Sequence, residues 1–522
     1  MFLIVQNEDK RMSRAWFALI CLMFCLSMAA CYGPAPKIEL SGSFKVEFAE
    51  QPTGGLGTPD KPRAVADNPE TFYLKITALD AEGKVDTSYN GLVCMYVSKG
   101  LLVGGVFGYE VKNGVLERAQ VRVRLAFGKT SLWVSEAKGM DKCKNATDPD
   151  DKLLPHVGRS GSAPHLYYDL LSISELQKAT QSPYRSALFK QYAEIGRGKM
   201  VVTGVTSNGF YMTDLEAYNK SKESYHSLFV FTFSAPSLSF EEGAAPRLVQ
   251  VGDLIDHVKG GVDEFSGQTQ LTFPSFEPVW VDGVKDSDVV SLSESEMPKP
   301  IELTPDFIWS RASMEKFEAA LVEVKDALPI PVLTEQEGWL QYRQWPLLIV
   351  RSNNEADKQK CIDFVRTELR VHPDPSKNNG GVFRACMDKC AQARQAADAK
   401  CPADEGEART ACIDKNRDEW FSCFYTGDNA CRGRRNDGLF KRIEDMGCSH
   451  AIVMVISSAT VPAYDPTSPE HLKNTFSLVR GNLQEVRATA FAAISEGHYP
   501  DEISNNGYVI IVRNPADLVV KQ

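Results

Sequence analysis

From residue 43 onward the sequence predicts a mainly β chain: a β-sandwich, then two small closed barrels, the second carrying a disulfide-rich α-helical insertion. Three observations carry this. Short runs alternating apolar and polar residues, broken by Gly, Asn and Pro turns, recur from 43 to 282. A second set of such runs begins at Trp345 and ends near Arg513. Inside that second set lies a polar, Ala-rich stretch with eight cysteines from Cys361 to Cys448.

Bulk properties narrow the field. A chain of 522 residues has room for several domains of roughly 150 residues. Apolar residues make up 43% and charged residues 24%, which excludes a disordered or collagen-like chain. The net charge of −10 excludes a uniformly basic surface for nucleic acid. After the N-terminus no apolar run is long enough for a membrane-spanning helix, so a multi-span helical protein is excluded.

The first 30 residues read as a secretory signal peptide. Lys10, Arg11 and Arg14 precede an apolar stretch from Ala15 to Met28, followed by the small residues Ala29 and Ala30. Leu26-Ser27-Met28-Ala29-Ala30-Cys31 resembles a bacterial lipobox, with Met28 where Leu, Val or Ile is usual. That resemblance implies an exported lipoprotein acylated at Cys31. Tyr32 follows where Asp would signal inner-membrane retention, which implies the outer membrane on its periplasmic or surface face. Met12 offers an alternative start to Met1. Residues 31–42 read as a tether.

Cysteine usage fits export. Of 13 cysteines, Cys21 and Cys25 leave with the signal and Cys31 carries lipid. Ten remain as disulfide candidates: Cys94, Cys143, Cys361, Cys386, Cys390, Cys401, Cys412, Cys423, Cys431 and Cys448. Zinc would want close ligand pairs, and Cys386/Cys390 is the only one, with His372 and His450 distant in sequence. We therefore expect oxidised pairs, no metal and no cofactor. The pairing within 361–448 is not readable, although those eight are expected to pair among themselves and Cys94 with Cys143.

Residues 43–137 alternate as strands around Phe44, Val46 and Phe48, then Phe72, Leu74 and Ile76. The run Thr77-Ala78-Leu79-Asp80-Ala81-Glu82-Gly83, leading to Tyr89-Asn90-Gly91, resembles bacterial Ig-like repeats of surface proteins. The resemblance implies a spacer or adhesive module. Residues 138–168 read as a linker, and their cluster Asp148-Pro149-Asp150-Asp151 as a solvated loop rather than a calcium loop.

Residues 169–282 hold five strand signals, around Lys199–Val205, Phe210–Asp214, Leu228–Phe233, Val251–Val262 and Thr269–Phe273, which suit a small barrel. Ile173-Ser174-Glu175-Leu176-Gln177, Thr203-Gly204-Val205, Gly209 to Asp214, Val251 to Leu254 and Glu264 to Leu271 resemble, in that order, the OB-fold module preceding the catalytic domain of secreted bacterial nucleases. Residues 283–312 read as an acidic, Ser-rich linker. Met314-Glu315-Lys316-Phe317-Glu318 looks like the start of a second copy within 313–522, which closes with Arg513-Asn514-Pro515-Ala516-Asp517. The Cys-rich segment 361–448 would interrupt it. There Cys390, Cys401, Cys412 and Cys423 recur every 11 residues, about three helical turns, on an expected α-hairpin. The resemblances thus imply an Ig-like β-sandwich followed by two OB-like β-barrels.

Chemistry is sparse in the sequence. Those nucleases carry their active site in a further domain, and Gln522 follows directly on the second barrel's last strand, so no nuclease activity is expected. Hydrolase, metalloprotease, phosphate-loop and dinucleotide motifs are missing. The eight histidines are scattered, and His165 and His226 read as surface or turn residues. OB folds bind strands through basic grooves and aromatic platforms. Phe210 and Tyr211 are the candidate platform, and Arg432, Arg434 and Arg435 the candidate basic patch. The expectation is a non-catalytic, lipid-anchored binding or scaffold protein of the cell envelope, with protein or polysaccharide partners. The alternatives are capture of extracellular DNA and a hydrolase with an unfamiliar site.

Overall fold

The computed structural model describes residues 42–104, 107–137, 143, 158–178, 185–223, 225–238, 247–284, 288–308, 310–329, 343–368, 379–403, 407–421, 423, 441–457, 475–487 and 506–521. The signal peptide, the tether and Cys31 lie outside them. The fold is mainly β.

Two four-stranded antiparallel sheets build the N-terminal sandwich. One has the order β1 (Ser43–Phe48), β2 (Glu70–Leu79), β6 (Val115–Arg124), β4 (Leu101–Val103). The other has β5 (Gly108–Val111), β3 (Gly91–Val97), β8 (Leu132–Ala137), β9 (Ser160–Ser162). Alternation puts Phe44, Val46, Phe72, Leu74 and Ile76 on the inner face, against Val93, Met95 and Val134 of the other sheet. Cys94 and Cys143 form a disulfide at the outer side of β3, packed by Tyr96 and Trp133.

The expected linker 138–168 is in part sandwich. β9 pairs with β8, and β10 (Leu166–Tyr167) pairs with β7 (Lys129–Thr130). Strands of two or three residues are too short to show a period. At its far end the sandwich feeds the next unit: Leu125 and Phe127 are buried in the core of the first barrel. Lys99 reaches across to Glu194 at 2.7 Å.

The first barrel comprises β12 (Met200–Thr206), β13 (Gly209–Asp214), β14 (Ser227–Phe231), β17 (Leu254–Phe265) and β18 (Gln268–Pro278), with β11 (Tyr192–Ile195) flanking β17. β12, β13 and β14 form a meander. β14 pairs parallel with β18, β18 pairs antiparallel with β17, and β17 closes on β12. This is the OB-like connectivity. β15 (Ser237–Leu238) and β16 (Arg247–Leu248) make a small separate ladder. The fourth strand starts at Leu254 rather than Val251, because Val251 to Asp253 form the turn leading into it.

The second barrel repeats that connectivity. β20 (Leu321–Pro329), β21 (Gln344–Arg351) and β22 (Ser449–Ser457) form the meander. β22 pairs parallel with β24 (Asn506–Val512), β24 antiparallel with β23 (Phe476–Arg487), and β23 closes on β20. β19 (Ile301–Glu302) and β25 (Leu518–Val520) flank it. Its core centres on Trp345, Phe317 and Phe476. Fully burying a Phe-sized side chain contributes about 1.5–3 kcal/mol. The expected linker 283–312 is also structured. Val289 packs on the first barrel's core, while Ile301, Leu303 and Ile308 belong to the second's. Its acidic surface residues masked those few anchors.

The helical insertion leaves between β21 and β22, where Arg351 and Ser449 are still paired partners. Helices Glu355–Glu368, Asn379–Asp398, Glu407–Phe421 and Lys441–Asp445 make it up. Cys361–Cys448 closes its stem, and Cys390–Cys423 and Cys401–Cys412 form two rungs across an antiparallel hairpin. Cys390 and Cys412 lie on the two helices, and Cys401 and Cys423 follow just past their C-terminal ends. Cys431 and the side chain of Cys386 lie outside the described residues. The described disulfides indicate an oxidising, non-cytoplasmic location.

Two outcomes follow. Non-reducing peptide mapping should recover Cys94–Cys143, Cys361–Cys448, Cys390–Cys423 and Cys401–Cys412; a bridge from the insertion to Cys94 or Cys143 would refute this topology. Closing the 87-residue span from Cys361 to Cys448 is worth about 4–5 kcal/mol in the chain-entropy model. Cys361→Ser/Cys448→Ser should therefore lower the second barrel's stability sharply, measured by denaturant unfolding, and leave the sandwich intact.

Candidate functional site

The two barrels meet at a bulge. Register shifts between Val202 and Gly204, so Thr203 is the extra residue of β12. The second barrel grips it twice. Asn482 Nδ2 donates to Thr203 Oγ1 at 3.2 Å and to the Ala319 carbonyl at 3.2 Å. Arg513 donates from Nη1 to the Thr203 carbonyl at 2.9 Å. Asp517, 2% exposed, holds Arg513 through Nε and Nη2, both at 2.9 Å. Gly204 allows the approach: a Cβ there would collide with Asn482 Oδ1. The two motifs read from sequence, Thr203-Gly204-Val205 and Arg513 to Asp517, are thus partners.

Beneath this contact lies a cluster of buried acids. Two short helices start it. In Ile173–Gln177, capped by Ser172 and Glu175, Ile173 and Leu176 plug the first barrel and Gln177 comes next. In Arg311–Lys316, capped by Ser310, Met314 plugs the second barrel, with Phe317 and then Glu318 following. Gln177 and Glu318 hold matching places in the two copies, and they touch. Gln177 Nε2 donates to Glu318 Oε1 at 2.8 Å, and the Thr269 backbone N–H donates to the same oxygen at 2.9 Å. Ala319 turns the chain away with φ +63°, a conformation costly for a residue with a Cβ.

Glu315, Glu318 and Glu485 converge, 2%, 2% and 0% exposed. Each offers a carboxylate oxygen within 4.8 Å of the others. Tyr508 donates its hydroxyl to Glu315 Oε2 at 2.7 Å. Glu264 of β17 stands nearby, accepting from Ser186 N at 2.8 Å and Thr269 Oγ1 at 2.9 Å. Glu318 Oε2 and Gln177 Oε1 are buried without a hydrogen-bond partner.

Electrostatics follow from the crowding. Burial first, then the carboxylates of Glu315, Glu485 and Glu264, push Glu318 well above the usual range. Burial pushes Glu264 to about 7. The Tyr508 hydroxyl is held well above its ordinary value by burial and by Glu485, Glu315 and Glu318. Like charges in a water-poor space favour either protons or a cation.

These acids were not singled out as site residues in the sequence. Glu315 lies in the last turn of the helix Arg311–Lys316 and Glu318 in the turn just after it, three residues on. Glu485 follows Val479, Gly481 and Leu483 in the inward phase of β23, a carboxylate where an apolar residue belongs. That phase was the available signal.

The predicted aromatic platform is displaced. Phe210 is a core residue, 0% exposed, and Tyr211 is 1% exposed at the junction, donating to Gln484 Oε1 at 3.2 Å. Alternation along β13 turns Phe210 inward, and the second barrel covers Tyr211. Neither can stack a ligand. Instead, rings run outward from Tyr211 through Phe229 and Phe231 to Phe233 and Phe273. Phe231–Phe233 and Phe233–Phe273 centroids are 4.4 and 4.7 Å apart. Phe233 is 54% and Phe273 77% exposed, both at positive φ. Arg432, Arg434, Arg435 and Asp148 to Asp151 lie outside the described residues.

His226, expected as a surface or turn residue, is 1% exposed. It bonds Ser227 Oγ at 2.8 Å and the Lys222 carbonyl at 3.0 Å, and burial drops its pKa to about 4. It is a neutral structural residue. His165 remains near the surface, paired with Ser131 Oγ at 2.6 Å.

No family model matches the chain, and no curated protein matches it. Among solved structures, the crystal structure of dimeric latent PorU from Porphyromonas gingivalis aligns with 59% of this chain and 26% of its own, at 10% identity and a TM-score of 0.15. The chain therefore spans about a quarter of PorU, and a likeness that weak carries no argument.

The acid cluster has a pH signature. A carboxyl with a raised folded-state pKa contributes stability that is full below its unfolded value of about 4.3 and is lost as pH rises through the folded value. For Glu264 that window runs from about 4.3 to about 7. In EDTA, wild-type stability measured by urea unfolding should fall across it. Glu264→Gln should flatten the fall by about 4 kcal/mol at most. An unchanged slope would contradict the placement of Glu264.

Proposed function

We propose that this chain is an exported, lipid-anchored, non-catalytic binding or scaffold protein of the cell envelope. The exposed aromatic ladder carries the reading. Two neighbouring phenylalanines, Phe233 and Phe273, spend most of their area in water and pack against each other at a tilt of 41°, Phe233 just past β14 and Phe273 on β18. Such rings give large contact area at low entropic cost, which suits a protein surface or the face of a sugar. Inner rings Tyr211 and Phe229 are buried at the junction, so the ladder stands on a fixed base.

Other features support the setting. The described disulfides suit an oxidising compartment. The Cys31 lipobox supplies an anchor, and diacylation gives more than one chain at about 0.8 kcal/mol per buried CH₂. The outer membrane is the proposed site, with the sandwich as spacer between anchor and barrels.

Affinity capture from solubilised envelopes, comparing wild type with Phe233→Ala/Phe273→Ala, tests this. The wild type should retain a reproducible protein or polysaccharide partner, and the folded variant should lose it by about tenfold or more, as expected for two aromatic anchors. Equal retention would refute the ladder. Cys31→Ser should release the chain from membranes; persistence there after a salt wash would refute the anchor.

A further inference from the structure

We propose that the buried junction of the two barrels binds one hard divalent cation, Ca²⁺, through Glu315, Glu318 and Glu485. The three carboxylate oxygens are already within the span a single ion would bridge. All three side chains are at least 98% buried, so water cannot screen their repulsion. Crowded acids alone would not make a site. The independent observation is Gln177. It is 2% exposed, comes from the other barrel, and lays its amide against Glu318, yet its Oε1 has no hydrogen-bond partner. A buried amide oxygen without a donor is destabilising, and a cation would satisfy it.

The spare atoms fit the same picture. Glu318 uses Oε1 for both protein donors and leaves Oε2 open. Tyr508 fixes Glu315 through Oε2. Hydrogen bonds to one oxygen of a ligating carboxylate are how metal sites set ligand orientation. The donors are carboxylates and an amide oxygen, with no sulfur or imidazole. That set selects hard cations over Zn²⁺. Mg²⁺ keeps several waters, whereas Ca²⁺ accepts bidentate carboxylates in a dry, irregular site. An ion here would tie Gln177 of the first barrel to three acids of the second.

The test uses the purified, oxidised, full-length exported chain, stripped with EGTA. Titrating CaCl₂ should show one bound ion per chain and raise Tm, with MgCl₂ much weaker. Tb³⁺ should bind competitively with Ca²⁺ and emit on excitation of the neighbouring tyrosines. Glu318→Gln should weaken Ca²⁺ by about 100-fold or more while leaving the EGTA-treated protein as stable as wild type, because the amide oxygen can still accept from Gln177 and Thr269. If Glu318→Gln fails to fold, Gln177→Leu is the second variant, with about tenfold weaker Ca²⁺ expected. No Ca²⁺ effect on wild-type Tm and no sensitised Tb³⁺ emission would overturn the proposal in favour of a proton-sharing cluster. Ca²⁺ affinity unchanged in both variants would overturn it by placing the ion elsewhere.

Discussion

The bulge at Thr203 is the constraint on which the paired barrels depend. A regular β12 would turn its backbone groups into the ladder and leave nothing for a neighbour. One extra residue frees the Thr203 carbonyl and hydroxyl, which Arg513 and Asn482 then take. Neither grip is a loose surface contact. Asn482 is 1% exposed, and Arg513 is fixed by a buried Asp517 before it reaches across. A buried polar group left unmatched costs more than a matched one contributes. The interface is therefore specific as well as adhesive: sliding one barrel on the other would orphan several groups at once.

That fixed geometry explains why acids can crowd beneath it. Two copies of one module present the same short helix to each other, and their matching residues, Gln177 and Glu318, bond across the seam. Burying carboxylates without counter-charge opposes folding. The strained Ala319 is a further local cost. Such costs persist in a fold when the surrounding packing over-determines them. Here the cores built on Phe210, Trp345 and Phe476 do so. The aromatic ladder uses the same frame, since its inner rings are clamped at the seam while its outer rings meet water.

Much of this was legible in the sequence, for physical reasons. β2 shows its period because one of its faces is buried, and β12, β13, β21 and β22 are legible as apolar runs between turns, whereas β20 left no comparable signal. Cysteine density announced the stapled hairpin, but the 11-residue spacing does not put all four cysteines on helix faces, since Cys401 and Cys423 lie past the helix ends. Strands of two or three residues carry no period, so β9, β10 and β19 vanished into expected linkers. Burial at an interface between modules leaves no local mark either. Tyr211 looks like a platform residue until the second barrel covers it. His226 looks like a turn residue because its carbonyl and hydroxyl partners come from the backbone of Lys222 and the side chain of Ser227. Glu485 alone left a trace, as a charge in the apolar phase of a strand.

The grips at Thr203 make the two barrels one cooperative body. Native-state hydrogen exchange read by mass spectrometry tests this most directly, on peptides covering β12–β13 and β20–β24. Both sets should share one opening free energy with one denaturant dependence, which should split into two levels in Asn482→Ala/Arg513→Ala. Separate opening energies already in the wild type would contradict it.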